Sequence, residues 1–185
     1  MFISRGKNDF YTSLERSLEE IDPKWRKYPG LIICGSHDLS GAEEKIEQIE
    51  NARINSLPCL GICLGMQLMA VEYARNIIGL ANADTQESDI NTKEPIIIKM
   101  NKLRVGIKMV GGSYENHWHN YKFNNDYLAT FKDWKFTIED GIVEEMWLRD
   151  APWHMGIQYH PEYGSSAKNQ HQVLKWFIST CKENR

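Results

Sequence analysis

Apolar positions fall into two regimes along this chain. In the first half, short continuous apolar runs alternate with stretches whose apolar residues recur every three or four positions. Residues 1–5 are a short apolar run, and Asn8-Asp9 offers a cap before Tyr11, Leu14, Leu18 and Ile21, spaced as on one face of a helix. Asp22-Pro23 stops that helix. Leu31-Ile32-Ile33-Cys34 then reads as a strand buried on both faces. Residues 42–54 read as a helix with Ile46, Ile49 and Ala52 on one side and acidic residues at its positive end. A strand over 58–62 and a helix through about Ile78, closed by Gly79, complete a β-α-β-α-β-α series. Such a series predicts a parallel sheet with helices on both faces.

From Ile96 the pattern changes. The segment 81–94 is polar and aperiodic, a loop, and 96–100, 104–109, 117–123, 134–138, 142–148 and 153–159 are short β-rich runs separated by turn residues. They predict an antiparallel extension of the sheet and hairpins, one turning at Arg149-Asp150-Ala151-Pro152. A last helix over about 167–182 carries Val173, Leu174, Trp176, Phe177 and Ile178. We expect one α/β domain over residues 1–185: a flavodoxin-like, three-layer arrangement with a mostly parallel central sheet.

Composition narrows the function classes. With 22 Lys+Arg against 25 Asp+Glu, the net charge is −3 and the basic residues are scattered, which argues against nucleic acid. Neither a membrane-spanning run nor a basic-then-apolar leader is present, so a cytoplasmic protein is expected. The four cysteines form no C-x-x-C pair; Cys34, Cys59 and Cys181 read as small apolar filler.

Cys63 differs from them. It sits in Gly61-Ile62-Cys63-Leu64-Gly65, where a strand turns sharply into a helix, and the flanking glycines suit such a corner. A thiol there faces the positive end of a helix, a fitting place for a nucleophile. It needs a base and a group to orient that base. Of six histidines, His160 stands out: it ends the run Met155-Gly156-Ile157-Gln158-Tyr159 and precedes Pro161-Glu162. Proline biases His160 to an extended conformation, so His160 and Glu162 can point the same way, with Glu162 holding the imidazole as the third member of a triad. His117-x-His119 has no third ligand at a fitting spacing and reads as structural or substrate-facing; no metal and no cofactor are expected.

The pairing of Gly61-Ile62-Cys63-Leu64-Gly65-Met66-Gln67 with Gly156-Ile157-Gln158-Tyr159-His160-Pro161-Glu162-Tyr163 resembles the class I, triad-type glutamine amidotransferases, nearest to the glutaminase domain of CTP synthases. The resemblance continues through Gly41-x-x-x-Lys45-Ile46, Asn51-Ala52-Arg53, Glu72 to Asn76, Ala81-Asn82-Ala83 and Trp153. It implies a Cys63–His160–Glu162 triad that hydrolyses the glutamine γ-amide through a γ-glutamyl thioester and supplies ammonia to a separate synthetase partner. It further implies an oxyanion hole from the backbone N–H groups of Gly35 and Leu64, and substrate contacts from Gln67 and Glu87. His117, Trp118 and His119 stand in the stretch where the family meets the substrate's α-carboxylate.

Three departures qualify what the resemblance implies. The loop Cys34-Gly35-Ser36-His37-Asp38 lacks the family's second and third glycines. Glu115 to Asn124 contains none of the family's arginines, and Met109, beside Lys108, replaces another. The link between Ile21 and Leu31 is short, and neither the ATP-dependent amination domain nor a phosphate-binding glycine loop is visible. A free-standing hydrolase of another γ-glutamyl compound is therefore the alternative expectation, and a non-catalytic interaction module a third.

Overall fold

The computed structural model describes residues 1–4, 11–149, 151 and 153–184; the Asn8-Asp9 cap and, in the expected 149–152 turn, Asp150 and Pro152 lie outside them. Chain order is β1 (Phe2–Ser4), α1 (Tyr11–Ile21), β2 (Leu31–Ile33), α2 (Ala42–Ile54), β3 (Cys59–Ile62) and α3 (Leu64–Tyr73). Next come β4 (Ala83–Thr85), β5 (Glu94–Val110), β6 (Ser113–Phe123), β7 (Trp134–Glu139), β8 (Ile142–Leu148), β9 (His154–Ile157), α4 (Pro161–Gly164) and α5 (Gln172–Glu183).

The central sheet has the order β1-β2-β3-β9-β8-β7. Its first four strands are parallel, with Ile32 opposite Leu60 and Ile62 opposite Ile157, and β8 and β7 extend it antiparallel. This is the mostly parallel sheet that the alternating first half predicts. Successive side chains on a strand point to opposite faces, which splits the apolar runs between two cores. Ile33 and Cys59 join Ile49, Met66, Met69 and Phe131 on the α2–α3 side. Ile32, Leu60 and Ile62 join Leu14, Leu18, Leu174 and Phe177 on the α1–α5 side. No described helix is long and apolar enough to cross a membrane.

Every residue of α3 is buried, because this helix is covered twice. The central sheet lies under it, and a second sheet, β4-β5-β6, lies over it through Ile96, Ile97 and Phe123. Here the structure corrects the expected layout: the runs at 96–109 and 117–123 do not lengthen the central sheet but form a separate antiparallel ribbon. The two runs 96–100 and 104–109 are one strand whose register with β6 shifts between Lys99 and Arg104. A short strand, β4, also occupies the segment read as loop; it pairs parallel with β5, and Arg75 Nε donates to the carbonyl of Ala83 at 2.7 Å. Three residues of strand carry no periodicity, so only their neighbours reveal them.

Candidate active site

The β3–α3 corner is a matter of backbone contact. A Cβ on Gly65 would stand 2.2 Å from the carbonyl oxygen of Ile33, and one on Gly61 would stand 2.6 Å from the carbonyl carbon of Gly65. Glycine at both places lets the first turn of α3 press against β2 and β3. Cys63 between them takes φ +52° and ψ −105°, a strained conformation for a residue with a side chain. Its N–H donates to the carbonyl of Ile157 at 2.7 Å and its carbonyl accepts from Gln67 N–H at 3.2 Å, holding the corner at both ends. The sulfur is buried, 3.8 Å from the carbonyl oxygen of Trp118 and 3.7 Å from Nε2 of Gln158.

Because Ile157 pairs with Ile62, the chain leaving β9 runs past the same corner. His160 is extended (φ −109°, ψ 91°), its N–H donates to the carbonyl of Asn116 at 2.8 Å, and its Nδ1 lies 2.7 Å from Oε1 of Glu162. The sequence reading expects both residues on an extended strand. Instead Pro161 opens the short helix α4, as a proline at the first helical position does, and Glu162 reaches back from its first turn. Both side chains are buried. Burial alone would depress the His160 imidazolium, but the facing Cys63 and the Glu162 carboxylate outweigh it and raise the pKa to about 10. Tyr159, next in line, donates its hydroxyl to Glu145 at 2.7 Å and pins the strand end.

Cys63 opens onto a cavity of about 140 Å³. Leu64, Gln67, Glu87, Trp118 and His119 line it, as five of the expected residues. Gly35 sits between the end of β2 and Ser36, which also lines the cavity, and Leu64 is the first residue of α3, where helix N–H groups have no intrahelical acceptor. Burial, then the nearby Asp38, pushes the Glu87 carboxyl above its usual range. Gln67 spends its amide nitrogen inside the protein, on the carbonyl of Tyr121 at 3.2 Å and on Oε1 of Gln158 at 3.3 Å.

Of the two readings of His117, structural or substrate-facing, its placement matches the first. It does not line the cavity; it turns with His119 to the inner face of β6 and packs towards Glu144 of β8, its Nδ1 3.7 Å from Oε2. Burial holds His117 down to about 3 and His119 to about 4, so both rings are neutral near pH 7, while burial lifts Glu144 to about 7 against the pull of Arg104. Gln158 was within reach of sequence reasoning, since it lies inside the histidine motif. Glu144 and Arg104 carry no motif, and only the contact of the two sheets reveals them.

The model of the family described as Glutamine amidotransferase class-I matches residues 7–180. A CTP synthase from Hydrogenobaculum sp. is 35% identical over 90% of this chain and 35% of its own length. The chain thus spans about a third of the length of the curated relatives it matches. Among solved structures, the glutaminase domain of Trypanosoma brucei CTPS with bound acivicin superposes with a TM-score of 0.88 at 18% identity, covering 98% of this chain and 92% of that one. A putative GMP synthase protein from Thermoplasma acidophilum follows at 0.64 and 17%, covering 99% and 94%.

Proposed function

Since the chain belongs to the class I glutamine amidotransferases, we propose that it is a glutaminase: it hydrolyses the γ-amide of glutamine and passes the ammonia to a separate synthetase partner. The Cys63 sulfur attacks the γ-carbonyl carbon while the oxygen takes up negative charge. The N–H groups of Gly35 and Leu64 receive that charge, and donors of this kind contribute roughly 3–4 kcal/mol. His160 gives its proton to the departing nitrogen, the C–N bond breaks, and ammonia leaves a γ-glutamyl thioester on Cys63. His160 then takes a proton from water, the hydroxide adds to the thioester, and the C–S bond breaks to release glutamate. Glu162 holds the ring and stabilises its protonated form. Glu87 suits the α-ammonium group, with Gln67, Trp118 and His119 around the substrate's amino-acid end. Residues 1–185 act in this as one glutaminase unit.

What carries this reading is the strained cysteine at a helix start, facing an imidazole whose other nitrogen is held by a buried carboxylate at 2.7 Å. Glutamate release from free glutamine by wild type and by Cys63→Ala tests it. Turnover in the first and none in the second supports it, and equal inertness of both overturns it.

A second reading has its own observation. Among the described residues that line the cavity there is no lysine or arginine, so a free α-carboxylate meets no cation there. A larger γ-glutamyl amide, whose carboxylate is bound elsewhere or masked, escapes that cost. If such amides turn over far faster than glutamine, this second reading replaces ammonia supply.

A further inference from the structure

Behind the cavity, three buried side chains converge, of which only His119 also borders the proposed substrate site. His117 and His119 are two apart on β6 and share its inner face, and Glu144 reaches them from β8 of the other sheet. One donor atom from each lies within 4.8 Å of the other two. Both ring nitrogens of His117, Nε2 of His119 and Oε2 of Glu144 are buried without a hydrogen-bond partner. Each such orphan costs about 1–3 kcal/mol, and three of them, one from each side chain, around one point ask for a shared occupant.

The outer partners identify its chemistry. His119 Nδ1 lies 2.8 Å from the carbonyl of Tyr121, so it carries the proton and leaves Nε2 with a free lone pair. Glu144 Oε1 is held by Arg104 Nη2 at 2.7 Å, leaving Oε2 uncommitted. A histidine donating its second N–H to a carbonyl and a carboxylate anchored by a second group are the supports that metal ligands carry. Two imidazoles and one carboxylate suit a divalent cation of borderline softness, with zinc first, and water completing a tetrahedron. The Arg104 cation opposes a metal, but it is shared between Glu144 and, at 3.5 Å, Asp140.

We propose that His117, His119 and Glu144 form a structural site for a divalent cation, zinc above all, that ties β6 to β8. Its effect is mechanical: β6 carries Trp118, His119 and Tyr121 to the cavity wall, and the tie fixes how far that wall stands from Cys63.

The test is equilibrium dialysis of the metal-stripped full chain against Zn²⁺, in the wild type and in Cys63→Ala, which removes the neighbouring thiol. One bound equivalent in both is expected. His117→Asn and Glu144→Gln, each on the Cys63→Ala background, are expected to lose more affinity than the roughly 10- to 100-fold that follows loss of an outer partner alone. Wild-type protein loaded with Co²⁺ gives a reading that needs no folded variant: the visible band of a tetrahedral nitrogen–oxygen site is expected, without thiolate charge transfer. No bound equivalent, uptake unchanged by both substitutions, uptake lost with Cys63, or a thiolate band each overturns the site. The first of these would mean that a water molecule sits among the three side chains in place of a metal.

Discussion

The β3–α3 corner and the β5–β6 ribbon face each other across one cavity and are built on opposite plans. At the corner, backbone meets backbone, α3 is buried on every side, and two glycines stand where a single Cβ would collide. The ribbon is two-sided. Its inner face buries Glu115, His117 and His119, while Leu103, Val105, Ile107, Met109, Tyr114 and Trp118 remain exposed on the strands. The bond-breaking chemistry we propose tolerates little displacement, and the corner is where close packing forbids movement. Recognition has to vary between substrates, and a pleated ribbon can exchange a side chain on one face without disturbing the other.

Substitutions on the two sides should therefore have different signatures. The largest effect is expected at Cys63: Cys63→Ala should lower kcat by about 10,000-fold or more with little loss of stability. Cys63→Gly, equally inactive, should be about 1 kcal/mol more stable than Cys63→Ala in denaturant melts, because φ +52° suits glycine. Next comes Gly65→Ala. With a Cβ 2.2 Å from a backbone oxygen, α3 must move, and about 3 kcal/mol of stability should go together with the activity. A soluble, fully active Gly65→Ala protein would refute the rigid-corner view.

His154, at the start of β9 opposite Cys59, gives a pH test. Burial, then Arg53, depresses its pKa from 6.5 to about 4. The unfolded chain then binds a proton that the folded chain refuses, so stability is whole above about pH 6.5 and falls as pH drops towards the folded value. By pH 5 this group alone should cost about 2 kcal/mol. His154→Leu should flatten that acid limb in denaturant midpoints measured from pH 7 to 5. The smallest effect is expected on the ribbon: Trp118→Ala, at a half-exposed side chain, should leave stability within about 0.5 kcal/mol and raise KM roughly tenfold with kcat kept. If kcat falls with it instead, the ribbon belongs to the chemistry and the contrast fails.

Much of the central sheet was legible in advance. Leu31-Ile32-Ile33 and Cys59 to Ile62 are continuous apolar runs because both faces of those strands are buried, and the helices between them show their apolar spacing. Gly79 ends the helical stretch after α3 with φ +86°, as its position suggests. The Cys63 and His160 motifs are likewise local, since each packs its chemistry within a few residues. Less was legible wherever pairing partners lie far apart. β4 is three residues long, β5 joins two apparent strands across a register shift, and His117 points at a glutamate 27 positions further along the chain. Neither periodicity nor spacing records which sheet a β-rich run will join, because alternation looks the same in both.

By itself, then, the sequence determined the strand-to-helix corner, the parallel half of the sheet and the pairing of a cysteine motif with a histidine motif. All of these follow from steric and burial rules acting over a few residues. Tertiary structure alone decided that the second β-rich region folds over α3 as a separate ribbon. It also decided that Glu162 approaches His160 from a helical turn, and that His117, His119 and Glu144 meet between two sheets. Those outcomes depend on burying apolar faces against partners distant in the chain, a non-directional force that leaves no local mark at the positions it brings together.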